Sequence, residues 1–333
     1  MFLKLSIVTS EFRVSHICAS LVVKEQLPEL EDHQILKEPL RRNTAPCIAY
    51  VSSKIYNIDP QANLVVAPSD HLVMNGEEFT RIITKALVHV TKSSDLLTLG
   101  IVPTRPDTGY GYIQYDEGDE SDGFYKVKTF TEKPDLELAN QFISSGDFLW
   151  NSGIFVWNVK AILAAFNKHL HDVYEVFHEG QDLYNTPKEQ EFINQAYTMC
   201  TNISIDYGVM EKSDSVRVIP SDFGWSDLGT WASAYDNLEK DYLENAVAGN
   251  NVMVIDATNN MVHALHIGGK LWCLKYKLHR LLSSWTSTEL SRDGSGNGTC
   301  RSTTHSRCWN KFVQHISKSE YVPFVMDASS VRN

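Results

Sequence analysis

Five stretches of this 333-residue chain carry side chains of the kinds that handle phosphate, hydroxyl groups or a metal ion. In VVAPSDH, Val65 to His71, an apolar run suited to a buried strand ends at Pro68 and gives way to Ser69, Asp70 and His71. A carboxylate directly after a buried strand can ligate a hard cation such as Mg²⁺ at a sheet edge. Pro68 stiffens the turn, and Ser69 adds a hydroxyl and a backbone N–H. The plainer reading makes Asp70 a turn or helix-cap residue. Ser69, Asp70 and His71 are adjacent, so they do not make a hydrolytic triad, whose members converge from separate elements. In EPLRRNTAPCIAY, Glu38 to Tyr50, Arg41 and Arg42 supply fixed charge, and Asn43 and Thr44 are placed to cap the next helix. Arginine beside exposed N–H groups at a helix start suits a phosphate or a nucleobase. A solvated arginine pair beside an ordinary cap is the alternative.

The other three stretches are individually weaker. In PTRPDTGYGYIQY, Pro103 to Tyr115, Gly109 and Gly111 let backbone approach a ligand closely, or simply turn a hairpin. FTEKP, Phe130 to Pro134, is followed by LWNSGIFVW, Leu149 to Trp157. Glu132 can accept paired sugar hydroxyls, and Lys133 can hold a phosphate as a point charge. Asn151, read as lying just before a strand, can address a hydroxyl as both donor and acceptor. A surface ion pair is the bland account of Glu132 and Lys133. In DFGWSDLGTW, Asp222 to Trp231, Asp227 stands between aromatics and Gly229, a rigid setting for a second metal-binding carboxylate or for a helix N-cap.

The elements that must position these residues read as alternating strands and helices. Apolar runs at Leu5–Val8, Leu64–Ala67, Leu96–Ile101 and Gly153–Asn158 predict strands, as do the alternating stretches Gly111–Tyr115 and Gly123–Thr131. Helices are predicted over Ser20–Leu27, Phe79–Thr91, Leu136–Ser144 and Val159–Asn167. Such alternation implies an α/β fold, a mainly parallel mixed sheet with helices on both faces. Ligands in such folds sit at the carboxyl ends of strands, where these polar residues fall.

Composition narrows the function. With 30 Lys and Arg against 41 Asp and Glu the net charge is −11, which argues against nucleic acid or an anionic membrane as partner. The 43% apolar content supports a core. No stretch reaches the ~20 apolar residues of a spanning helix, and Met1 to Val8 is too short and lacks the basic start of a signal peptide. Six scattered Cys with no CxxC pair point to reduced thiols and a cytoplasmic location. The charge is uneven: Ala264 to Asn333 carries +6 and the rest −17. Ser283 to Ser306 is about half Ser and Thr, the composition of a poorly ordered tail.

Taken together, EPLRRNTAPCIAY, VVAPSDH, PTRPDTGYGYI, FTEKPD, WNSGIFVW, SIDYGVMEKS and GWSDLGTW closely resemble the mannose-1-phosphate guanylyltransferases from about Leu5 to Val262. The resemblance implies a nucleotide-diphospho-sugar transferase fold, Rossmann-like. It implies GTP and mannose 1-phosphate as substrates, GDP-mannose and pyrophosphate as products, and Mg²⁺ as cofactor. By motif, Asp70 and Asp227 would be the Mg²⁺ carboxylates, and with Lys133 the catalytic set. Glu38, Arg41, Asn43, Pro68 and Ser69 would lie on the guanosine side. Gly111, Glu132, Lys133 and Asn151 would lie on the mannose phosphate side. A homo-oligomer is compatible with the family.

The departures set further expectations. The family opens with a Gly-rich loop of the form GGxGxRxxPLS, whose backbone N–H groups and basic residues embrace the triphosphate. This sequence contains no such segment and opens at what resembles the family's second strand. It is therefore expected to comprise a nucleotidyltransferase domain, 1–262, incomplete at its start, and an atypical tail, 263–333, of the kind a frame change would produce. Oxyanion-type groups contribute about 10² to 10³ in rate each, so little turnover is expected. The alternative to an active enzyme is an inactive or fragmentary homologue that binds nucleotide sugar or an active subunit.

Overall fold

The computed structural model of the protein describes residues 3–7, 10–16, 20–248, 258–267, 270–277, 285–292 and 298–302. They fall into two units, one running to Trp225 and one beginning at Ser226. The first unit opens with β1 (Leu3–Ile7), β2 (Ser10–His16), α1 (Ser20–Gln26), β3 (Ile35–Glu38) and α2 (Thr44–Ile58). It continues through β4 (Asn63–Pro68), β5 (Leu72–Val73), α3 (Gly76–Val90), β6 (Leu96–Ile101), β7 (Tyr112–Ser121) and β8 (Phe124–Thr131). Then come α4 (Leu136–Ser145), β9 (Phe148–Asn158), α5 (Val159–His169), α6 (His171–His178), α7 (Glu189–Met199), α8 (Ile205–Gly208) and β10 (Val216–Ser221), with β11 (Trp225–Ser226) at the junction.

Nine strands make one sheet in the order β3-β2-β1-β4-β9-β6-β10-β8-β7. It is an α/β sheet with helices on both faces, as expected, and the residues show why. In β4, Leu64 and Val66 face one core with Phe155 and Trp157 of β9. Val65 and Ala67 face the other with Ile154 and Val156. That is the period-two alternation of a strand covered on both sides. Helices α2, α5, α6 and α7 close the first core. Helices α3 and α4 close the second, α3 through Ile82, Ile83, Ala86 and Val90. Caps define the helix starts: Asn75 accepts from Glu78 N–H at α3, Asp135 from Leu138 N–H at α4, and Asn158 from Lys160 N–H at α5. A buried ion pair ties α2 to α7. Lys54 Nζ lies 2.6 Å from Glu189 Oε2, while Tyr50 donates its hydroxyl to Glu189 Oε1 at 2.6 Å.

Two expectations are corrected. Among the described strands the parallel pairings of this sheet are β2 with β3 and β6 with β10, and antiparallel pairs outnumber them. Strand β9 is the reason: it runs antiparallel to β4, β6 and β7 and occupies the middle of the sheet. Apolar content alone does not report strand direction. The strand expected at Gly153 begins five residues earlier, at Phe148, so Asn151 lies inside β9 rather than before it.

In the second unit, α9 (Trp231–Asp236) is followed by β12 (Ala246–Ala248), β13 (Asn260–Ile267), β14 (Lys270–Lys277), β15 (Trp285–Arg292) and β16 (Gly298–Ser302), which form a sheet in that order. The boundary drawn at 262 from composition falls within β13. Much of 263–333 lies outside the described residues, and its described pieces are strands.

Candidate active site

Register brings several of the expected residues to one edge of the large sheet. Strands β3, β4, β6 and β10 point the same way, so Glu38, Pro68, Ile101 and Ser221 end at that edge. Because β9 runs antiparallel, its early residues lie at the same edge, with Asn151 opposite Gly100 and Trp150 opposite Ile101. Tyr112, which opens β7, pairs with Trp150 and brings Gly111 there too.

At the centre of this edge five residues come together. Asn151 N–H donates to the Gly111 carbonyl at 2.8 Å. Gly111 leaves room for the Glu132 carboxylate: a Cβ there would stand 2.7 Å from Glu132 Oε1 and 3.5 Å from Asn151 Cβ. The Asn151 carboxamide accepts from Gly153 N–H at 3.1 Å and donates to Asp206 Oδ1 at 2.8 Å. Burial raises the Asp206 carboxyl above the ordinary range, although the Asn151 bond opposes the shift. Burial likewise raises Glu132, and the nearby charges of Asp206 and Glu211 add to it while Lys133 opposes. The cluster is rich in carboxylates and offers polar groups to neutral hydroxyls. Lys133, exposed and held at a φ of 43°, follows directly after Glu132.

The turn after β4 lies beside this cluster. Gly153 adopts a φ of +67°, and a Cβ on it would stand 3.7 Å from Pro68 Cγ and 4.0 Å from His71 Cε1. Ser69 and Asp70 form the exposed turn. Asp70 reaches solvent, yet enough protein surrounds it that desolvation raises its carboxyl above the usual range. His71 Nδ1 accepts from the Trp225 indole N–H at 3.1 Å, which puts the proton of the neutral ring on Nε2. Tyr110 packs edge-on against both Trp150 and Trp225, and the Arg105 guanidinium lies over Trp150, 5.4 Å from the ring centre.

The third group starts at the end of β3. Glu38 accepts from the Tyr197 hydroxyl at 2.9 Å, and burial lifts its carboxyl to about 7 despite that bond. Arg42 donates to the Tyr197 carbonyl at 3.2 Å and so braces α7, whereas Arg41 is exposed. Asn43 is the N-cap of α2. It sits at a φ of 65°, which asparagine tolerates better than most residues, and accepts from Thr44 N–H. Thr44 in turn accepts from Ile205 N–H at 2.8 Å, and Ala45 N–H donates to the Ile203 carbonyl at 3.1 Å. The start of α2 and the helix that bears Asp206 are thereby joined.

Asp227 belongs to the second unit. It accepts from Gly229 N–H at 2.9 Å in a local turn, and Thr230, not Asp227, caps α9. Among the described residues no three His, Cys, Asp or Glu side chains come together as a metal cage. That is compatible with Mg²⁺, which is commonly held through one or two carboxylates plus substrate phosphates. A groove of about 610 Å³ lined by Arg81, Lys85, His89 and Lys92 shares no residue with the cluster. Its Arg81, Lys85 and His89 are already held by Glu78, Asp122 and Asp95. Asp206, Tyr197 and the His71–Trp225 pair were not singled out from sequence. Asp206 carried a signal, a carboxylate in the first turn after a Ser cap. Tyr197 carried none.

A mixed α/β sheet with polar side chains gathered at the carboxyl edge of its strands is the arrangement in which such folds hold a ligand. The chain belongs to the nucleotidyl transferase family, whose pattern it matches over residues 8–244. It is 35% identical over 254 residues to the alginate biosynthesis protein AlgA of Pseudomonas putida, a match covering 75% of this chain and 51% of that protein. It is 35% identical over 249 residues to a mannose-1-phosphate guanylyltransferase of Escherichia coli, covering 71% and 53%. A Thermus thermophilus structure described as a mannose-1-phosphate geranyltransferase superposes with a TM-score of 0.67 at 26% identity, covering 78% of each chain. The chain spans about half the length of the curated relatives it matches. No helix among the described residues is long and apolar enough to cross a membrane.

Proposed function

We propose that the protein transfers a guanylyl group in the synthesis of GDP-mannose, from GTP and mannose 1-phosphate to GDP-mannose and pyrophosphate. The observation that carries this reading is the convergence of Gly111, Glu132 and Asn151 beside the Pro68–His71 turn, in a chain about a third identical to a protein named for that reaction. A phosphate oxygen of mannose 1-phosphate forms the new bond to the α-phosphorus. The bond from that phosphorus to the β-bridging oxygen breaks, and pyrophosphate leaves with the electron pair. The protein's part is alignment and charge neutralisation.

Glu132 and Asn151 are assigned to mannose hydroxyls, with the phosphate directed away from the carboxylates toward Lys133. Glu38, Arg41, Asn43, Pro68 and Ser69 are assigned to guanosine. Asp70 would hold Mg²⁺, which when bound neutralises charge on the triphosphate. We assign the protein to the cytoplasm, take 1–262 as its nucleotidyltransferase domain, and leave a homo-oligomer as the assembly to test by light scattering.

The test is pyrophosphate release from GTP and mannose 1-phosphate, with UTP and glucose 1-phosphate as controls, alongside calorimetric titration with GDP-mannose. Release that needs both substrates and Mg²⁺ supports the reading. Binding of GDP-mannose without release would favour a binding homologue, and neither release nor binding would overturn it.

A further inference from the structure

We propose that Asp206 is the positioning residue of the sugar-phosphate subsite: it locks the Asn151 carboxamide in one orientation and leaves the second N–H of that amide for a ligand hydroxyl. The inference rests on the function proposed above for its ligand and on the geometry for its mechanism. An asparagine side chain can be rotated by half a turn at little steric cost, exchanging its oxygen and nitrogen. At Asn151 that exchange is blocked from both sides. The oxygen accepts from Gly153 N–H at 3.1 Å, so a nitrogen in its place would meet a donor. The nitrogen donates to Asp206 Oδ1 at 2.8 Å, so an oxygen in its place would meet a carboxylate. The main chain is fixed as well, through Asn151 N–H to the Gly111 carbonyl.

Asp206 is itself held independently of the sheet. It lies in the first turn of α8, capped by Ser204, whose hydroxyl accepts from Tyr207 N–H. Ile205 N–H donates to Thr44 Oγ1 and the Ile203 carbonyl accepts from Ala45 N–H, so the start of α2 sets where α8 sits. The segment 203–206 therefore links the start of α2 to the strand that carries Asn151. A residue acting this way contributes to ligand affinity only through Asn151, and that is what distinguishes it from a direct contact.

The experiment uses the full chain with Asp206→Ala, Asp206→Asn, Asn151→Ala and the double variant Asp206→Ala with Asn151→Ala. Affinities for mannose 1-phosphate and for GTP are measured by calorimetry. The Asn151 side-chain amide pair is followed in ¹H–¹⁵N spectra, identified by its loss in Asn151→Ala. Asp206→Ala is expected to move that amide pair and to weaken mannose 1-phosphate about tenfold, as for a lost charge-assisted hydrogen bond, with GTP affinity unchanged. Asp206→Asn keeps an acceptor and is expected to stay within about threefold of the parent. The double variant is expected to bind as Asn151→Ala does, because the two losses are one loss. Additive losses, equal losses for both ligands, or an amide pair unmoved by Asp206→Ala would each overturn the proposal. If the parent chain takes up no mannose 1-phosphate, the proposed function fails and the amide pair alone decides the role of Asp206. A shift supports it and no shift overturns it.

Discussion

Glu38 offers a sharp test of the electrostatics at the end of β3. Its carboxyl is buried, accepts one hydrogen bond from Tyr197, and is raised from 4.5 to about 7. Below pH 4.5 the folded and unfolded chains both hold the proton, and Glu38 places no pH-dependent cost on the fold. As pH rises from 4.5 toward 7 the unfolded chain ionises while the folded one keeps its proton, so stability falls with pH. Above about 7 the folded chain ionises too and the loss levels off. A gap of about 2.5 pH units at about 1.4 kcal/mol each amounts to ~3 kcal/mol, an upper value for a carboxyl at the edge of a sheet. Glu38→Gln keeps the oxygen that accepts from Tyr197 and carries no charge at any pH. Urea denaturation of parent and variant from pH 4.5 to 8 at fixed ionic strength isolates the effect, since every other titrating group is common to both. The variant is expected to match the parent near pH 4.5 and to exceed it by ~3 kcal/mol at pH 8. A difference that stays flat across that range would refute the argument.

Glu189→Ala is expected to lower stability by about 3 to 5 kcal/mol, because it leaves Lys54 buried without its partner and takes the acceptor from Tyr50 and from Asn185 N–H; chemical denaturation checks it. Replacing Lys54 with Met and Glu189 with Leu together should cost less than Glu189→Ala alone. Gly111→Ala would set a Cβ 2.7 Å from the present position of Glu132 Oε1, and is expected to push that carboxylate aside and to weaken mannose 1-phosphate about tenfold. Only the flexible end of Glu132 has to move, so the melting temperature should hold within a few degrees. Asp70→Asn should abolish the Mg²⁺ dependence of GTP binding in calorimetry while leaving the fold intact, as the side chain is at the surface.

Much of this molecule is written locally. Leu64 to Ala67 reads as a strand from its own apolar run, and α3 from the spacing of Phe79, Ile82, Ile83, Ala86 and Val90. Asn43 marks the start of α2 by its type alone. Such features depend on contacts a few residues apart, so a linear reading reaches them. Glu132 and Asn151 were legible as candidates because their types suit hydroxyl chemistry, and Gly111 because glycine lets backbone approach a ligand.

Tertiary structure decided direction, partnership and charge state. That β9 runs antiparallel through the middle of the sheet, bringing Asn151 to the edge where β4 ends, is a matter of topology that hydrophobicity does not encode. Glu38 meets Tyr197 across 159 residues, and Asn151 meets Asp206 across 55. The raised carboxyls follow from burial, against the pull of those hydrogen bonds, and burial is not something a residue carries by itself. The sequence by itself therefore determined which groups could act. The packing of distant segments decided which of them stand together, and how each is held and charged.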